Sequence, residues 1–248
     1  MHAQEITFYH AVIIAFLVFG LVCGCFIFVM FRQHRRNIEL YKAKLGAEIT
    51  TLETERQRIA NDLHDDLGPL LSAIKFNIGG IETNTEDEQL VKVAEKYLDD
   101  VVQKLRQISN DLMPVTLTRK GLTYAIEEFM EKVKGSSHLK IQFSYPEMPT
   151  LPDETNINLY RVLLEIIHNA LKHSNADVLS IALQISKNDI SIETKDNGTG
   201  FNVSKTIQHN TGRGLSNILN RTELMGGELF IESAPNAGTS YSITIPYQ

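Results

Sequence analysis

The feature that most constrains this chain is an uncharged run of 21 residues from Ala11 to Phe31. An α-helix rises about 1.5 Å per residue, so a helix of this length matches the ~30 Å hydrocarbon core of a lipid bilayer. We therefore predict a transmembrane helix over residues 11–31. A cleaved signal peptide is the alternative, but it is disfavoured by the length of the run and by the arginines that stand where a small-residue cleavage site would be expected.

Basic residues lie on only one side of this run. Arg32, Arg35 and Arg36 follow it directly, whereas no lysine or arginine precedes it. Positive charge of this kind stays in the cytoplasm, so we expect a single pass with residues 1–10 outside and the remaining residues inside. So short an outer segment leaves no room for a ligand-binding domain, and the signal is expected from the bilayer or from a partner membrane protein.

Heptad spacing follows the basic residues. Apolar side chains recur every seven positions in two rows, which are Ile38, Leu45, Leu52 and Ile59 in one row and Ile49, Leu63 and Leu70 in the other. This spacing predicts a coiled-coil linker over residues 32–54 that continues into a helix bundle. Our hypothesis for control is that strain entering along the coiled coil alters helix register and frees or traps the downstream domain.

A second amphipathic helix follows a short polar loop. Its apolar residues are spaced in steps of three and four before Pro114, and they are Val91, Ala94, Leu98, Val101, Leu105, Ile108 and Leu112. Two such helices predict an antiparallel hairpin over residues 55–114. Because its apolar stripe is narrow, the hairpin buries it best against a second copy, so we predict a homodimeric four-helix bundle.

One histidine stands beside a carboxylate within the first helix of this hairpin. Leu63 belongs to the apolar seam, so His64 is turned by about 100° toward the flank of the helix. A hydrogen bond with Asp65 would fix the tautomer of the imidazole and leave its other nitrogen as a nucleophile. A histidine of this kind is more often a solvated surface residue, so its interpretation depends on the residues downstream. The adjacent Gly68-Pro69 pair predicts a local bend.

From residue 115 onward the pattern changes to short helices and alternating strands. Strands are predicted over residues 178–186, 189–194, 228–233 and 239–246. This mixture predicts an α/β sandwich over residues 115–248. The whole chain is therefore expected to be an α+β protein with a helical N-terminal part.

A helix predicted over residues 156–173 carries an acid, an amide and two basic side chains along one face. They are Glu165, Asn169, Lys172 and His173, at spacings of three and four residues. The carboxylate and the amide offer oxygen ligands for Mg²⁺, and Lys172 can meet phosphate oxygens. Such a row is unusual for a helix that otherwise packs in a core.

Two glycine-rich elements follow this helix. Residues 196–200 (DNGTG) end a strand, where glycine permits a tight turn and Asp196 can accept a hydrogen bond from an adenine amino group; alone, such a sequence is a common hairpin signal. Residues 211–215 (TGRGL) open a helix, whose N-terminal amides can cradle phosphate. The polar stretch between them, residues 202–210, is long enough to form a lid.

The order and spacing of these motifs resemble a known family. Residues 165–176 (EIIHNALKHSNA), 196–201 (DNGTGF) and 212–215 (GRGL) resemble the N, G1 and G2 boxes of the GHKL ATPases. Residues 64–69 (HDDLGP) resemble the phosphoacceptor box of the NarL-type histidine kinases. The resemblance runs from about residue 49 to the C-terminus. It implies a sensor histidine kinase in the bacterial cytoplasmic (inner) membrane, with a Bergerat-type ATP-binding fold.

The same resemblance implies a role for each site residue. His64 would be the phosphoacceptor, Asp65 its activating partner, and Asp196 the residue that holds adenine. Glu165 and Asn169 would hold Mg²⁺ beside the ATP. The other residues assigned to the nucleotide site are Lys172, His173, Gly198, Gly200, Gly212, Gly214 and Leu215. The implied partner is a cytoplasmic response regulator, of the DNA-binding NarL/LuxR type, that receives the phosphoryl group on an aspartate.

Two other functions are weighed against this interpretation. One is a GHKL kinase that phosphorylates a protein serine, as the anti-sigma factors do, and acid-labile phosphate would exclude it. The other is a scaffold with a degenerate ATP site, which would not bind nucleotide. Direct binding to nucleic acid is disfavoured because the formal net charge is -6, whereas phosphate backbones bind basic surfaces. Cys23 and Cys25 are too few and too close to form a disulfide framework.

One position departs from the family pattern. Many members of this branch have glutamine where this chain has Pro69, and that glutamine is thought to orient the water that dephosphorylates the regulator. Proline has no side-chain donor, so we expect phosphatase activity to be weak or to depend on another residue. The measurement is the decay of a phosphorylated response regulator in the presence of this chain without ATP, and rapid decay would contradict the expectation.

Overall fold

The computed structural model describes residues 2–81, 87–135, 137–208 and 213–247, and of residues 2–15, 207, 208 and 213 it describes the backbone alone. The chain divides into two compact units, residues 1–50 and 51–248. The first unit is helical throughout its described length. The second unit contains the rest of the helical region and the α/β domain.

Helix α1, His2–Asp62, contains both the predicted membrane segment and the predicted linker. By length and composition alone, the helical stretch Phe16–Gly79 is long and apolar enough to cross a membrane, with a mean hydropathy of 2.0 in its most apolar part. The apolar side chains from Phe16 to Phe31 lie exposed, apart from the half-buried Cys23. An N-terminal apolar helix that can anchor the chain in a membrane is therefore present.

A π turn, Leu63–Leu67, interrupts the helix at the histidine. Helix α2, Gly68–Gly79, continues from it, with proline in its first turn. Proline has no N–H to donate, and its ring crowds the carbonyl four residues before it, which here belongs to Asp65. A widened turn accommodates both effects. The irregularity predicted for this segment is thus a π turn.

Helix α3, Glu88–Leu112, returns antiparallel to α2. Lys75 Nζ pairs with Asp99 Oδ1 across the hairpin at 2.5 Å. The polar loop expected at residues 83–85 lies outside the described residues.

The predicted apolar stripe of α3 is in fact two stripes. Five positions, Val91, Ala94, Leu98, Leu105 and Leu112, are half-buried, whereas Val101 and Ile108 are about half exposed at 49% and 48%. The exposed pair continues a separate row of apolar side chains formed by Leu90, Val93 and Tyr97. On the preceding helical segment Leu67, Leu70 and Ile74 are exposed in the same way. One apolar row on each helix is therefore left uncovered in the single chain.

Three helices precede or flank the first strand of the α/β domain. Helix α4 is Val115–Lys120, α5 is Leu122–Val133 and α6 is Asp153–Asn169. A second π turn, Ala170–Ser174, extends α6, so the helix predicted over residues 156–173 is an α-helix only as far as Asn169. Helix α7, Val203–Gln208, occupies part of the predicted lid, and α8 is Arg213–Leu224.

The sheet has five strands in the order β1-β2-β3-β5-β4. The strands are β1 Lys140–Ser144, β2 Val178–Ile185, β3 Asp189–Asp196, β4 Glu228–Ser233 and β5 Thr239–Pro246. β1 pairs with β2 in parallel and the other pairs are antiparallel. The four predicted strands are confirmed to within two residues at each end, whereas β1 was not predicted.

The core lies between one face of the sheet and the helices. Alternate residues of β2, β3 and β5 are buried, as expected for strands with one face covered, and they include Leu179, Ile181, Ile190, Ile192, Ile243 and Ile245. The side chains of α5, α6 and α8 that meet them include Ile126, Leu159, Leu163, Ile166 and Ile218. The predicted α/β sandwich is confirmed as two layers, with α6 packed against α8.

Candidate functional site

A cavity of about 420 Å³ opens at the end of α6 in the α/β domain. Its walls come from α6 with its π turn, the end of β3, the start of α8, and β5. The lining residues include Glu165, Asn169, His173, Asp196, Gly200, Gly214 and Leu215, all predicted from the sequence, together with Ser174, Thr199, Phe201, Thr206, Thr239 and Tyr241. The fold thus gathers side chains from positions 165 to 241 around one space.

The first wall joins α6 to the start of α8. A β-carbon on Gly214 would lie 2.3 Å from Glu165 Oε1 and 3.4 Å from Asn169 Nδ2. Glycine is therefore required for the backbone of α8 to approach the acid and the amide this closely. Glu165 and Asn169 are four residues apart and face the cavity from adjacent turns of α6, as predicted.

The π turn determines which basic side chain after Asn169 lines the cavity. His173 lines the cavity, whereas Lys172 is exposed and is not among the described residues that line it. A π turn holds more residues than an α-helical turn, so the helical spacing used to place Lys172 beside Asn169 does not apply beyond residue 169. The predicted contact of Lys172 with phosphate stays a prediction.

Asp196 forms the floor of the cavity at the end of β3. It is buried at 6% exposure, and its Oδ1 accepts a hydrogen bond from the backbone N–H of Gly198 at 2.8 Å. The neighbouring Asn197 is turned away, because its Oδ1 accepts from the backbone N–H groups of Asp177 and Val178 at 3.0 Å. Asp196 therefore faces the cavity, whereas Asn197 stabilises the turn.

The glycines of this turn are required by close backbone contacts. A β-carbon on Gly198 would lie 2.2 Å from the carbonyl oxygen of Ser174. Gly200 has a φ of +58°, and a β-carbon there would lie 2.1 Å from the carbonyl oxygen of Ala234. Gly212, predicted to shape the same pocket, lies outside the described residues.

Tyr241 is a cavity residue that the sequence analysis missed. Its side chain, 3% exposed, lines the cavity from β5. Burial and the negative charge of Asp196 raise the pKa of Tyr241 to about 12, although the nearby Asn169 side chain acts in the opposite direction. The phenol is thus un-ionised at neutral pH, and it lines the same cavity as Asn169. Its alternating position on β5 made it look like an ordinary core residue.

His64 lies on the surface of the hairpin at the π turn. Its Nδ1 is 2.8 Å from Oδ1 of Asp65, and the side chains are 57% and 74% exposed. A protonated Nδ1 donates to the carboxylate and leaves Nε2 as the nucleophilic nitrogen. The geometry expected for this pair is therefore present. His64 is not among the described residues that line the cavity.

The donor set in the cavity fits a nucleotide with Mg²⁺ better than a metal held by protein alone. Among residues with described side chains, no group of three or more His, Cys, Asp or Glu gathers to hold a metal. Mg²⁺ is commonly held by one or two protein oxygens, with phosphate and water supplying the rest. Glu165 and Asn169 provide such a partial set beside the helix terminus at Gly214.

Two known families match the chain. The histidine kinase-, DNA gyrase B- and HSP90-like ATPases match residues 154–248, which contain the cavity. A histidine kinase family, HisKA_3, matches residues 55–117, which contain His64 and the hairpin. The two matches do not overlap. The histidine kinase match covers the hairpin, and the ATPase match covers most of the α/β domain that follows it.

Curated relatives carry both parts. The oxygen sensor histidine kinase NreB of Staphylococcus carnosus is 26% identical over 219 residues, which are 86% of this chain and 63% of the relative. The sensor protein VraS of Staphylococcus saprophyticus is 29% identical over 198 residues, 79% of this chain and 56% of the relative. This chain therefore spans about three fifths of the length of these relatives.

A solved structure also matches part of the chain. The histidine kinase domain of a blue-light activated histidine kinase from Erythrobacter litoralis matches 73% of this chain and 95% of that chain, at 15% identity and a TM-score of 0.47.

We predict that Gly214→Ala weakens the binding of Mg²⁺-ATP without unfolding the domain. The added methyl group would displace the flexible carboxylate of Glu165, which it would otherwise approach to 2.3 Å. The control is Gly68→Ala, because nothing lies within 4 Å of a β-carbon at that helical position. Titration calorimetry with Mg²⁺-ATP and thermal unfolding of both variants test the prediction. Unchanged nucleotide affinity in Gly214→Ala would contradict it.

Proposed function

Since the chain belongs to the histidine kinases in which a HisKA_3 domain precedes an ATPase domain, we propose that it is a membrane-anchored sensor kinase. It takes the γ-phosphoryl group of ATP onto His64 and passes it to an aspartate of a response regulator. The observation that carries this proposal is the coexistence of a polar, glycine-lined cavity and a separate histidine–aspartate pair in one chain.

ATP is the substrate that the cavity fits best. Asp196 can accept a hydrogen bond from the adenine amino group, because its buried carboxylate forms the floor of the cavity. The start of α8, with Gly214, supplies backbone N–H groups and a helix dipole at the place where phosphates would lie. Phe201 and Leu215 add apolar surface at the same cavity.

The metal of this site is proposed to be Mg²⁺. Bound between Glu165 and Asn169, it would neutralise the phosphate charge of the nucleotide. Tyr241 lines the same cavity as Asn169, so an un-ionised phenol lies near the proposed metal site. The cavity residues therefore position the phosphates, and the chemistry takes place on His64.

The transfer to His64 follows from the geometry of the pair. With its proton on Nδ1, the imidazole attacks the γ-phosphorus through Nε2, a nitrogen–phosphorus bond forms, and the bond to the leaving ADP oxygen breaks. The ring becomes cationic at this moment, and Asp65, 2.8 Å from Nδ1, stabilises the charge or receives the proton. The phosphoryl group can then move to the carboxylate of the regulator. We infer that this regulator is of the NarL/LuxR type.

The uncovered apolar rows favour a homodimer. Leu67, Leu70 and Ile74 on one helix and Val93 and Tyr97 on the other are between 38% and 66% exposed. Apolar rows on both helices of a hairpin are buried when two hairpins form a four-helix bundle. We therefore propose that a second copy of this chain covers them.

We propose in addition that α1 crosses the bacterial cytoplasmic membrane once, with its N-terminus outside. The exposed apolar residues from position 16 to 31 support the crossing, and the three arginines that follow them support this orientation. The kinase domains would then lie in the cytoplasm. The signal would reach them through α1 from the bilayer or from a membrane partner.

The first test is phosphorylation with γ-labelled ATP and Mg²⁺. A soluble fragment that begins at Asn37 should acquire label that is lost in acid, as expected for phosphohistidine. His64→Gln and Asn169→Ala should each abolish the label, because one lacks the nucleophile and the other lacks the metal ligand. His138→Gln, a substitution at an exposed loop histidine, is the control and should be labelled like the unaltered fragment.

Each other outcome assigns a different function. Acid-stable label would indicate a serine kinase, and label that persists in His64→Gln would place the phosphoacceptor elsewhere. Nucleotide binding without any label would contradict the kinase proposal for the fragment and favour a scaffold.

The second test addresses the dimer. The same fragment should sediment at equilibrium as a dimer, and Leu70→Glu should shift it toward the monomer, because a charge would be placed within the proposed apolar interface. Phe230→Glu is the control, since Phe230 is 65% exposed on strand β4, away from the hairpin. A monomeric parent fragment would refute the proposed four-helix bundle.

A further inference from the structure

A buried carboxylate on α1, directly before the hairpin, forms ion pairs with the ATP-binding domain. Glu53, near the end of α1, is 6% exposed. Its Oε2 accepts hydrogen bonds from Nε and Nη2 of Arg161 at 3.1 and 3.0 Å, and its Oε1 accepts one from Nη2 of Arg221 at 2.6 Å. Arg56 Nη1 lies 3.2 Å from the same Oε1. We call these four residues the Glu53 cluster.

The two largely buried arginines, Arg161 and Arg221, come from the two helices that wall the nucleotide cavity. Arg161 lies on α6, one turn before Glu165, and Arg221 lies on α8, two turns after Gly214. One carboxylate therefore links the helix that precedes His64 to both sides of the cavity. α6 and α8 also pack directly on each other.

Further polar contacts fix the same junction. Arg221 Nη1 donates to Asn158 Oδ1 at 2.8 Å, and Arg161 Nη2 donates to the carbonyl oxygen of Leu112 at the end of α3. Ser109 Oγ donates to the carbonyl oxygen of Ala60 at 3.0 Å. The ATP-binding domain thus packs against the base of the hairpin, which is formed by the C-terminal ends of α1 and α3.

The charge balance makes Glu53 the central member of the cluster. Burial raises the pKa of Glu53, but the guanidinium groups of Arg161 and Arg221 outweigh it and leave the pKa below its ordinary value. The carboxylate is therefore ionised at neutral pH. Without it, three positive groups would face one another, two of them with side chains only 11% and 13% exposed. Breaking a buried ion pair from one side is strongly unfavourable.

We infer that the Glu53 cluster is an autoinhibitory latch, which holds the ATP-binding domain on the base of the hairpin until a movement of α1 withdraws the carboxylate. This inference rests on the proposed kinase function. His64 lies about 16 Å farther along the helix than Glu53, at ~1.5 Å per residue. Since His64 is not among the described residues that line the cavity, the latched arrangement keeps the histidine apart from the nucleotide of its own chain. Release of the latch frees the domain to move along the hairpin.

The test compares Glu53→Gln with Glu55→Gln in the full chain, reconstituted in lipid nanodiscs. Glu55 lies on the same helix, and the bonds of its carboxylate in the described structure go to Arg58 of that helix, so it is a matched control. Glu53→Gln should accelerate amide hydrogen exchange over residues 51–62 and 109–117. It should also raise the initial rate of His64 phosphorylation at saturating Mg²⁺-ATP by about tenfold or more, because breaking an ion pair of this kind from one side costs more than the free energy that corresponds to a factor of ten. Glu55→Gln should change neither.

A second variant and thermal unfolding exclude the possibility that the effects come from unfolding of the domain. Arg221→Gln removes another member of the cluster and should have the same two effects, and the double variant Glu53→Gln/Arg221→Gln should be no faster than the faster single variant, because coupled residues are not additive. Thermal unfolding of each variant confirms that the domain remains folded.

The two readouts separate the latch from the kinase proposal. Unchanged hydrogen exchange in both folded single variants overturns the latch, whether or not any protein is phosphorylated. Faster exchange with unchanged or slower phosphorylation overturns its autoinhibitory role. If the unaltered chain is not phosphorylated and none of the variants is, the kinase proposal fails and the inhibitory role falls with it, while the exchange rates still decide whether Glu53 holds the domain.

Discussion

The close approach of three backbone segments at the end of β3 is the constraint on which the cavity depends. A β-carbon on Gly238, which has a φ of +73°, would lie 2.1 Å from the carbonyl oxygen of Asp196. Gly198 faces Ser174 and Gly200 faces Ala234 at similar separations. The π turn, the end of β3 and the β4–β5 turn can meet only because side chains are absent there. This contact holds Asp196 at the cavity floor.

The elements that the sequence predicted well are those with a strong local pattern. β5 reads as alternating small or polar and apolar residues, and its burial alternates in the same way. β1 was missed although its five residues alternate between polar and apolar, because the strand is short and its partner β2 lies far along the chain, so its pairing depends on tertiary contacts. Of the two π turns, the one at Leu63–Leu67 was signalled by Gly68 and Pro69, which predicted a bend there. The one at Ala170–Ser174 contains no proline or glycine that would mark it.

The residues of the candidate site also divide into those that lie in a recognisable local motif and those that do not. The acid, the amide and the glycines of the cavity were predicted because each occurs in a short motif whose chemistry is plain. Tyr241 was missed because it reaches the cavity from β5, where its place in the alternating pattern is that of an ordinary core residue. The ion pairs of Glu53 with Arg161 and Arg221 join residues 108 and 168 positions apart. No spacing rule along one helix or strand reveals contacts of this kind.

In the proposed kinase, the position of Glu53 would also make the junction between the hairpin and the ATP-binding domain sensitive to the nucleotide that is bound. The carboxylate and a bound nucleotide act on the same two helices, α6 and α8. Thermodynamic linkage is reciprocal, so any coupling through which α1 alters nucleotide affinity must let nucleotide alter the hold on α1 by the same free energy. A change in the ratio of ATP to ADP would then act as an input beside the one arriving through the membrane. Helix α1 would then receive one input at its membrane end and another at the end that carries Glu53.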